Sequence, residues 1–320
     1  MKDGKVRIAS RASDLAMRQA RMVLDALASR GTEAEIVTFK TTGDKQLDEP
    51  LSEIGAKGLF THELEVALAK RKVDCCVHSL KDLPTENQQG LEIVALLERE
   101  DPRDVLVVNS VTGADSLAAL PAGSRVGTSS LRRRALLSAV RADLEIVELR
   151  GNVPTRLRKV ETGKVHAAIL AAAGLIRLDA RQRITEYLNP PEWLPAAGQG
   201  AIAIQIRSDD DAMRDLMARL DHVPTSIATR AERAFLAGLE GGCQIPIGAL
   251  AAPDAGGTVT LNGFVSDTKG RYMVRGSIIV DTSAPERSGE MLAADLRTRG
   301  ATSLLMELRS AEAVMAPQPE

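Results

Sequence analysis

"KVRIASRASDLAMRQARMVLDALASRGTEAEIVTFKT", residues 5–41, contains the first strand, the first helix and the second strand of a repeating α/β pattern. Apolar residues in its middle part recur at helical spacing, which predicts an amphipathic helix that ends at Gly31. The flanking segments are short and rich in apolar and β-branched residues, which favours strands. "LFTHELEVALAKRKV" and "VDCCVHSL" then add a second helix and a third strand. This βαβαβ order predicts a mainly parallel sheet with crossover helices.

A second pattern of the same kind begins near residue 100. The strand candidates "DVLVVNS", "SRVGTSS", "LEIVELRG" and "KVHAAILAAAG" are separated by the helical segments "SSLRRRALLSAVRA" and "VPTRLRKVETG". Pro190, Pro191 and Pro195 then mark a crossing segment, and "AIAIQIR" adds one more strand that could rejoin the first domain. The sequence therefore predicts two α/β domains with mixed, mainly parallel sheets.

The character of the chain changes from about residue 217. "IATRAERAFLAGLE" predicts a helix ended by Gly241 and Gly242, and two alternating strands joined by "DTKG" predict a hairpin. "GEMLAADLRTRGATSLLMELRSA" predicts a last helix, interrupted at Gly300. A small α+β domain with an antiparallel sheet follows. We expect these boundaries: residues 1–98 and 195–216 for the first domain, 99–194 for the second, 217–315 for the third, and a disordered tail at 316–320.

Composition limits the classes of protein that fit. The 320-residue chain is 44% hydrophobic with a net charge of -2, it has no apolar run long enough to cross a bilayer, and its N-terminus lacks a secretory signal pattern. Aromatic residues make up only 2%, which disfavours stacking on single-stranded nucleic acid. An odd cysteine count with two adjacent members, Cys75 and Cys76, favours a reducing cytoplasm. Their spacing with His78 does not make a metal site, and none is expected.

Arginine is unevenly distributed, and eight arginines lie between Arg125 and Arg158. A solvated helix face would explain such a run. However, "VGTSSLRRR" places hydroxyls at a strand-to-helix junction, where the backbone N–H groups and the helix dipole favour an anion. Arg150 ends another strand, and ligands of open α/β sheets bind outside the carboxyl ends of strands. Guanidinium groups at that edge suit carboxylates or phosphates.

The first domain offers a similar edge. "HSLKDLP" places Lys81 and Asp82 where the third strand ends, which makes Asp82 a candidate acid, base or stabiliser of a cation. "SRASDLAMRQA" adds Arg11 and Ser13 in the first turn after a strand, without the glycines of a dinucleotide fingerprint. Each motif is weak alone. Together they predict a cleft between the two domains that receives a small polyanion.

"LEGGCQIPIG", residues 239–248, places the third cysteine, Cys243, behind two glycines and before a proline. Neighbours of this kind break helices, so the residue is not ordinary helical core. Either it is a loop cysteine of no consequence, or the loop exists to present its sulfur.

These segments together resemble one family. "ERAFLAGLEGGCQIPIG" is similar to the signature loop of the porphobilinogen deaminase (hydroxymethylbilane synthase) family. The resemblance continues, in the family's order, from near residue 6 to about residue 250 through "IASRASDLAMRQA", "GLFTHELEVAL", "VHSLKDLPT", "VGTSSLRRRALL", "LRGNVPTRL", "AILAAAGLIRL" and "LPAAGQGAI". It implies two lobes like those of periplasmic binding proteins and a small third domain that carries the cysteine.

The resemblance also implies a transferase of tetrapyrrole and haem biosynthesis. Such an enzyme deaminates four molecules of porphobilinogen and joins them head to tail onto a dipyrromethane cofactor. Ammonia leaves at each addition, and water then releases the linear tetrapyrrole hydroxymethylbilane. The family implies a cytoplasmic monomer that needs neither nucleic acid nor membrane.

Residue roles carry over by position. The resemblance implies a thioether between the cofactor and Cys243, and it makes Asp82 the catalytic carboxylate, which stabilises the cation left when ammonia departs. Lys57, Gly58 and Phe60 would belong to a lid. The other cofactor-binding residues would be Ser79, Lys81, Asp82 itself, Thr128, Ser129, Ser130, Arg132 and Arg133. The substrate or the chain end would be held by Arg11, Ser13, Gln19, Arg150, Arg156, Arg177 and Gln199.

Two other classes compete with this interpretation. A non-catalytic two-lobed binding protein would use the same strand ends, but it predicts a secretory signal or a fused DNA-binding domain, and it has no need of Cys243. Nucleic-acid binding through the arginine run is disfavoured by the near-neutral charge. Departures from the family pattern are few: His62 stands where lysine is more usual, and "TENQQG" replaces a more apolar stretch.

Overall fold

The structure of the chain is a computed structural model that describes residues 4–42, 60–239 and 245–315. Two five-stranded sheets and one three-stranded sheet lie within these residues. Lys57 and Gly58 of the expected lid, and the predicted cofactor cysteine Cys243, lie outside them. None of the described helices is long and apolar enough to span a membrane.

The first sheet has one antiparallel strand among parallel ones. Its strands are β1 (Val6–Arg11), β2 (Ala34–Phe39), β3 (Cys75–Ser79), β4 (Leu91–Leu96) and β10 (Ile202–Arg207). Their order is β2-β1-β3-β10-β4, and β10, the strand predicted in "AIAIQIR", is antiparallel to both of its neighbours. Helix α1 (Asp14–Ala28) packs on one face of the sheet and α2 (His62–Ala69) on the other. Successive residues of a strand point to opposite faces, so Cys75 is buried against α1 and Cys76 against α2.

The second sheet repeats this arrangement. Its order is β7-β6-β8-β5-β9, and its single reversed strand is β5. Helix α3 (Leu131–Val140) packs on one face, while α4 (Val153–Glu161) and α5 (Ala172–Arg177) pack on the other. The strands are β5 (Asp104–Val108), β6 (Arg125–Gly127), β7 (Glu145–Val147), β8 (Ala167–Ala171) and β9 (Glu186–Leu188).

Two segments, 97–103 and 189–201, connect the sheets and lie side by side. The Glu100 N–H donates to the Gly200 carbonyl (3.2 Å), and Gln199 Nε2 donates to the Pro102 carbonyl (2.7 Å). The segments touch so closely that a Cβ at Gly200 would lie 2.3 Å from the Glu100 oxygen. The two lobes are therefore joined by two crossover segments that are hydrogen-bonded to each other.

A third, antiparallel sheet consists of β11 (Ile247–Pro253), β12 (Val259–Ser266) and β13 (Met273–Ile279), in that order. Helices α7 (Val223–Gly238) and α8 (Pro285–Leu296) cover it, and α6 (Asp211–Ala218) precedes them on the first lobe. The hairpin after β12 meets the second lobe, where a Cβ at Gly270 would lie 2.1 Å from the Ala135 carbonyl. This pairing and that of the two larger sheets confirm the predicted fold class.

Three helix boundaries in the third unit differ from expectation. Helix α7 begins at Val223, four residues before the predicted start at Ile227. Helix α7 ends at Gly238 and not at Gly241 and Gly242, which lie outside the described residues. Gly238 is required for packing, because a Cβ there would lie 2.7 Å from Ala293 of α8. The last helical segment starts at Pro285, earlier than predicted, because proline suits the first turn of a helix. The predicted interruption at Gly300 is confirmed by its φ of 112°, and α9 (Thr302–Met315) follows.

We expect Gly200→Ala to destabilise the chain more than Gly113→Ala. Both glycines have positive φ, +89° and +64°, but a Cβ at Gly113 would meet nothing within 4 Å. The shared backbone strain cancels in the comparison, so the difference reports the clash between the crossovers. It should be about 2 kcal/mol in the free energy of unfolding, measured by urea titration. Equal losses for the two variants would contradict the close approach of the crossovers.

Candidate functional site

A cleft lies between the two lobes, at the carboxyl ends of β3 and β8 and beside the second crossover. Its apolar wall includes Leu15, Val153 and Leu170. Among the described residues, four cations line the cleft, and no carboxylate does. Of the residues predicted from the sequence, the cleft brings together Gln19, Ser79, Lys81, Arg133, Arg156, Arg177 and Gln199.

Lys81 reaches the cleft because β3 runs directly into a short 3₁₀ turn, Leu80–Asp82. Its Nζ donates to Gln199 Oε1 of the second crossover at 3.2 Å. Burial lowers the pKa of Lys81 to about 8. Nearby Asp82 acts in the opposite direction, whereas Arg133 and Arg132 lower the pKa further. The ammonium group therefore lacks enough neighbouring negative charge to offset its desolvation.

Two arginines that line the same cleft also have lowered pKa values. Burial lowers the pKa of Arg156 to about 10, with further lowering by Arg133 and Arg150. Burial likewise lowers the pKa of Arg177 to about 10. Arg177 Nη2 donates to the Gly200 carbonyl at 2.7 Å, while its buried Nε has no hydrogen-bond partner among the described residues. An anion in the cleft would satisfy both the charge and the open donor.

A buried carboxylate, Asp104 at the start of β5, organises the floor of this region. It accepts from Arg132 Nη1 (2.7 Å) and Arg133 Nη2 (2.7 Å), both on α3. It also accepts from Trp193 Nε1 (2.9 Å) and Gln199 Nε2 (2.9 Å) of the second crossover. Burial alone would raise the pKa of Asp104, but Arg132 and Arg133 together hold it well below its usual range. The carboxylate is therefore ionised.

The other predicted cofactor contacts of the second lobe have local partners in the structure. Arg132 is buried behind the cleft, where Nη1 also donates to the Leu194 carbonyl at 2.7 Å. Ser130 caps α3, and Ser129 Oγ donates to the Leu149 carbonyl at 2.9 Å. Thr128 is buried, and its Oγ1 accepts from the Ser130 N–H. These four residues lie outside the lining of the cleft.

Among the predicted substrate-binding residues of the first lobe, one lines the cleft and the others have local partners outside it. Gln19 is buried in the cleft wall, and its Nε2 donates to Ser79 Oγ at 2.9 Å. The Arg11 guanidinium lies over the Phe60 ring, 4.3 Å from its centroid, which is a cation–π contact. Ser13 caps α1 by accepting from the Ala16 N–H, at 3.4 Å. Arg150, which belongs to the second lobe, is partly buried, and its charge acts on Arg156.

Asp82 is exposed at the end of the turn that carries Lys81. Its charge acts on both Lys81 and Arg156, so the carboxylate is near the cationic lining without being part of it. His78, by contrast, lies buried in β3 with Nε2 3.0 Å from Gln205 Oε1. Burial lowers the pKa of His78 to about 4, which leaves it neutral near pH 7. His78 has the environment of a structural residue.

Sequence reasoning missed two groups that shape this site. Asp104 begins the apolar strand "DVLVV". A charged residue at the start of a buried strand was the signal that the sequence offered. Glu232 of α7 is fully buried and accepts from Arg99 Nη1 of the first crossover (2.7 Å) and from the Gly198 N–H of the second (2.7 Å). Nothing in the local sequence around Glu232 indicates that it joins the third unit to both crossovers.

Fold and site together define a two-lobed α/β protein with a cationic cleft at its interlobe junction and a small α+β unit attached to both crossovers. Residues 6–215 match the model of "Porphobilinogen deaminase, dipyromethane cofactor binding domain", and residues 226–298 match that of "Porphobilinogen deaminase, C-terminal domain". The chain belongs to the porphobilinogen deaminase family.

Curated relatives agree over nearly the whole chain. A porphobilinogen deaminase of Moorella thermoacetica is 50% identical over 96% of this chain and 97% of its own length. Those of Syntrophobacter fumaroxidans and Geobacter sulfurreducens are each 46% identical over 96% of this chain, and over 99% and 96% of their own lengths.

Two solved structures of binding proteins are distantly similar to this chain. The methionine binding protein MetQ gives a TM-score of 0.43 at 15% identity, over 68% of this chain and 89% of that one. A periplasmic substrate-binding protein of an ABC transporter from Coxiella burnetii gives 0.41 at 18%, over 67% and 91%.

We expect Asp104→Asn to destabilise the chain strongly, because it leaves the two buried guanidinium groups of α3 without their counter-charge. Removing one partner of such a network typically costs roughly 3–5 kcal/mol. Asp143→Asn is the matched control, since it breaks the exposed pair with Arg141 (2.7 Å), and solvent screening should make its loss of stability far smaller. Urea titration of both variants checks this, and similar small losses would contradict the organising role of Asp104.

Proposed function

We propose that this chain is a hydroxymethylbilane synthase, a transferase of tetrapyrrole and haem biosynthesis. In the proposed reaction it deaminates four porphobilinogen molecules and joins them head to tail, and water then releases the linear tetrapyrrole. Each addition forms one C–C bond, breaks one C–N bond and releases ammonia. The observation that carries the proposal is a cleft lined by four cations and no carboxylate, among described residues, in a chain of this family.

A dipyrromethane fits the residues of the cleft. The group is built from two substrate molecules, each with an acetate and a propionate, so it carries four carboxylates. Lys81, Arg133, Arg156 and Arg177 supply four cations, and the lowered pKa values of Lys81, Arg156 and Arg177 follow mainly from burial without sufficient counter-charge. Carboxylates would restore those pKa values and satisfy the buried Arg177 Nε.

The proposed division of labour follows the geometry. Lys81, Arg133, Ser79 and Gln199 would hold the cofactor near β3, with Thr128, Ser129, Ser130 and Arg132 behind them. Arg156, Arg177 and Gln19, with Arg11, Ser13 and Arg150 at the rim, would orient the incoming substrate. Cys243 would hold the cofactor through a thioether, and Lys57 with Phe60 would cover the cleft. When bound, the cofactor supplies a free pyrrole α-carbon as the growing end.

Asp82 would act on the substrate. Departure of ammonia from the aminomethyl group leaves a cation delocalised over the pyrrole ring. A carboxylate beside a cationic cleft stabilises that charge where the surrounding lysine and arginine groups would repel it. The same carboxylate can accept the proton that the α-carbon loses after attack.

We also propose that the enzyme is a cytoplasmic monomer that needs no nucleic acid. Cys75 and Cys76 support a reducing compartment, since both are free thiols and form no disulfide. The net charge of -2 supports the absence of a nucleic-acid partner. Three domains divided at residues 98, 194 and 216, with 195–216 returning to the first, are consistent with the membership of each sheet.

We expect Cys243→Ser to lose the covalent primer and turnover. Protein from cells that make porphobilinogen should show an intact mass above that of the bare chain by one dipyrromethane, and the variant should show the bare mass. Cys76→Ala is the matched control, because it removes a buried thiol that the reaction does not use and should keep the excess mass. An active parent protein with the bare mass would overturn the tethered primer.

We expect Asp82→Ala to lower kcat by roughly 10² to 10³. The side chain is exposed, so the thermal midpoint should change little. Glu86→Gln is the control, because this carboxylate is also exposed and lies outside the cleft lining, and its kcat should stay near that of the parent. A kcat for Asp82→Ala within about tenfold of the parent would remove Asp82 from the chemistry.

A further inference from the structure

The turn that carries Lys81 and Asp82 separates two cavities. Lys81 lines the interlobe cleft, whereas the preceding Leu80 lines a second cavity of about 490 Å³ between β4 and α7. The turn is therefore accessible from behind, from the side of the third unit. Groups on that side can influence Asp82 without touching the substrate.

Arg233 of α7 reaches the turn from the second cavity. Its Nη1 donates to the Leu83 carbonyl (3.3 Å), and its Nη2 donates to the carbonyls of Pro84 (2.6 Å) and Thr85 (3.2 Å). These are the three carbonyls that directly follow Asp82 in the chain. One guanidinium group thus fixes the direction in which the main chain leaves the catalytic turn.

Most other hydrogen bonds of the turn lie on the other side of Asp82, apart from the one that the Leu83 N–H donates to the Leu80 carbonyl (3.1 Å). The Leu80 N–H donates to the Ala201 carbonyl at 3.0 Å, and Lys81 Nζ donates to Gln199 Oε1 at 3.2 Å. Both contacts hold residues before Asp82. In the described part of the chain, the side-chain hydrogen bonds to residues 83–85 come from Arg233. Removing Arg233 would loosen residues 83–85 at one end of the turn and leave the other end in place.

The charge environment of Arg233 argues for a role in positioning. Burial alone lowers its pKa to about 10, and its hydrogen-bond partners are carbonyls. The carboxylates of the same cavity are engaged elsewhere: Glu286 pairs with Arg230, and Asp221 accepts from the Leu96 N–H and Ser226 Oγ. A buried cation without a carboxylate partner is a poor source of stability, whereas a planar donor fork suits three consecutive carbonyls.

We propose that Arg233 is a positioning residue for the Asp82 carboxylate, acting through the main-chain carbonyls of residues 83–85 from outside the cleft. The inference rests on the proposed function and deepens it. A misplacement of a catalytic group by about 1 Å can lower a rate by about 10². Three of the four cations of the cleft lie on other elements, and the fourth, Lys81, is held by Gln199, so substrate binding should be affected much less than the chemical step.

The test uses the full-length, primer-loaded enzyme. Arg233→Met should lower kcat by at least about tenfold while the KM for porphobilinogen stays within about twofold, because only the catalytic turn is released. Arg233→Lys, which keeps a cation and three donors, should recover part of that loss. Arg230→Met is the matched control: Arg230 lies on the same helix, is 52% exposed and pairs with Glu286, and its kcat should not change.

A double-mutant cycle separates positioning from a general structural effect. If Arg233 acts through Asp82, the Arg233→Met change should have almost no effect on kcat in an Asp82→Asn background. An equal loss in both backgrounds would overturn the proposal, and so would a kcat within about twofold of the parent for Arg233→Met. If Arg233→Met does not fold, the same cycle with Arg233→Lys decides by the same criterion.

Intact mass keeps this inference distinct from the proposed function. The Arg233 variants should retain the dipyrromethane mass, because the predicted attachment site and the cleft are unchanged. A parent protein that lacks this mass and forms no tetrapyrrole would refute the proposed function itself. A loaded, active parent whose Arg233 variants match it in kcat would refute only the positioning role.

Discussion

The buried carboxylate of Asp104 is the constraint on which the geometry of the cleft depends. It begins β5, directly after the first crossover, and it binds two arginines of α3 together with Trp193 and Gln199 of the second crossover. One ionised group therefore fixes a helix of the second lobe to both connections between the lobes. A neutral residue there could not offset the charge of the two buried guanidinium groups. Two buried arginines without a carboxylate partner would strongly destabilise the fold.

This arrangement also explains how the cleft keeps an excess of positive charge. Asp104 neutralises part of the charge of Arg132 and Arg133 from behind, so the second lobe tolerates them in its interior. The charges of Lys81, Arg156 and Arg177 are not offset in this way, as the lowered pKa values of these groups indicate. The free energy lost by burying these cations is recovered when carboxylates enter, so the lining is preorganised for a polyanion.

The fold and much of the cleft could be predicted from the sequence because both depend on local patterns. Strand and helix periodicity indicated the two α/β lobes, strand ends indicated Lys81 and Arg150, and the family resemblance indicated Arg156. The partners of Asp104 and Glu232 could not be predicted, since they come from segments up to 95 and 133 residues away. Gly238 is similar: its place at the end of α7 follows from contact with Ala293 of another helix, which no local motif encodes.

Contacts between segments that are distant in the sequence also attach the third unit to the two lobes. Helix α7 contributes Glu232 to the crossovers and Arg233 to the chain beyond Asp82, so two adjacent residues of one helix contact the connections between the lobes and residues 83–85. Consecutive residues on a helix point about 100° apart, which lets one helix bridge two different neighbours. A movement of α7 would therefore be felt at both the crossovers and the turn. Through this single helix the third unit constrains both the junction of the lobes and the course of the main chain after Asp82.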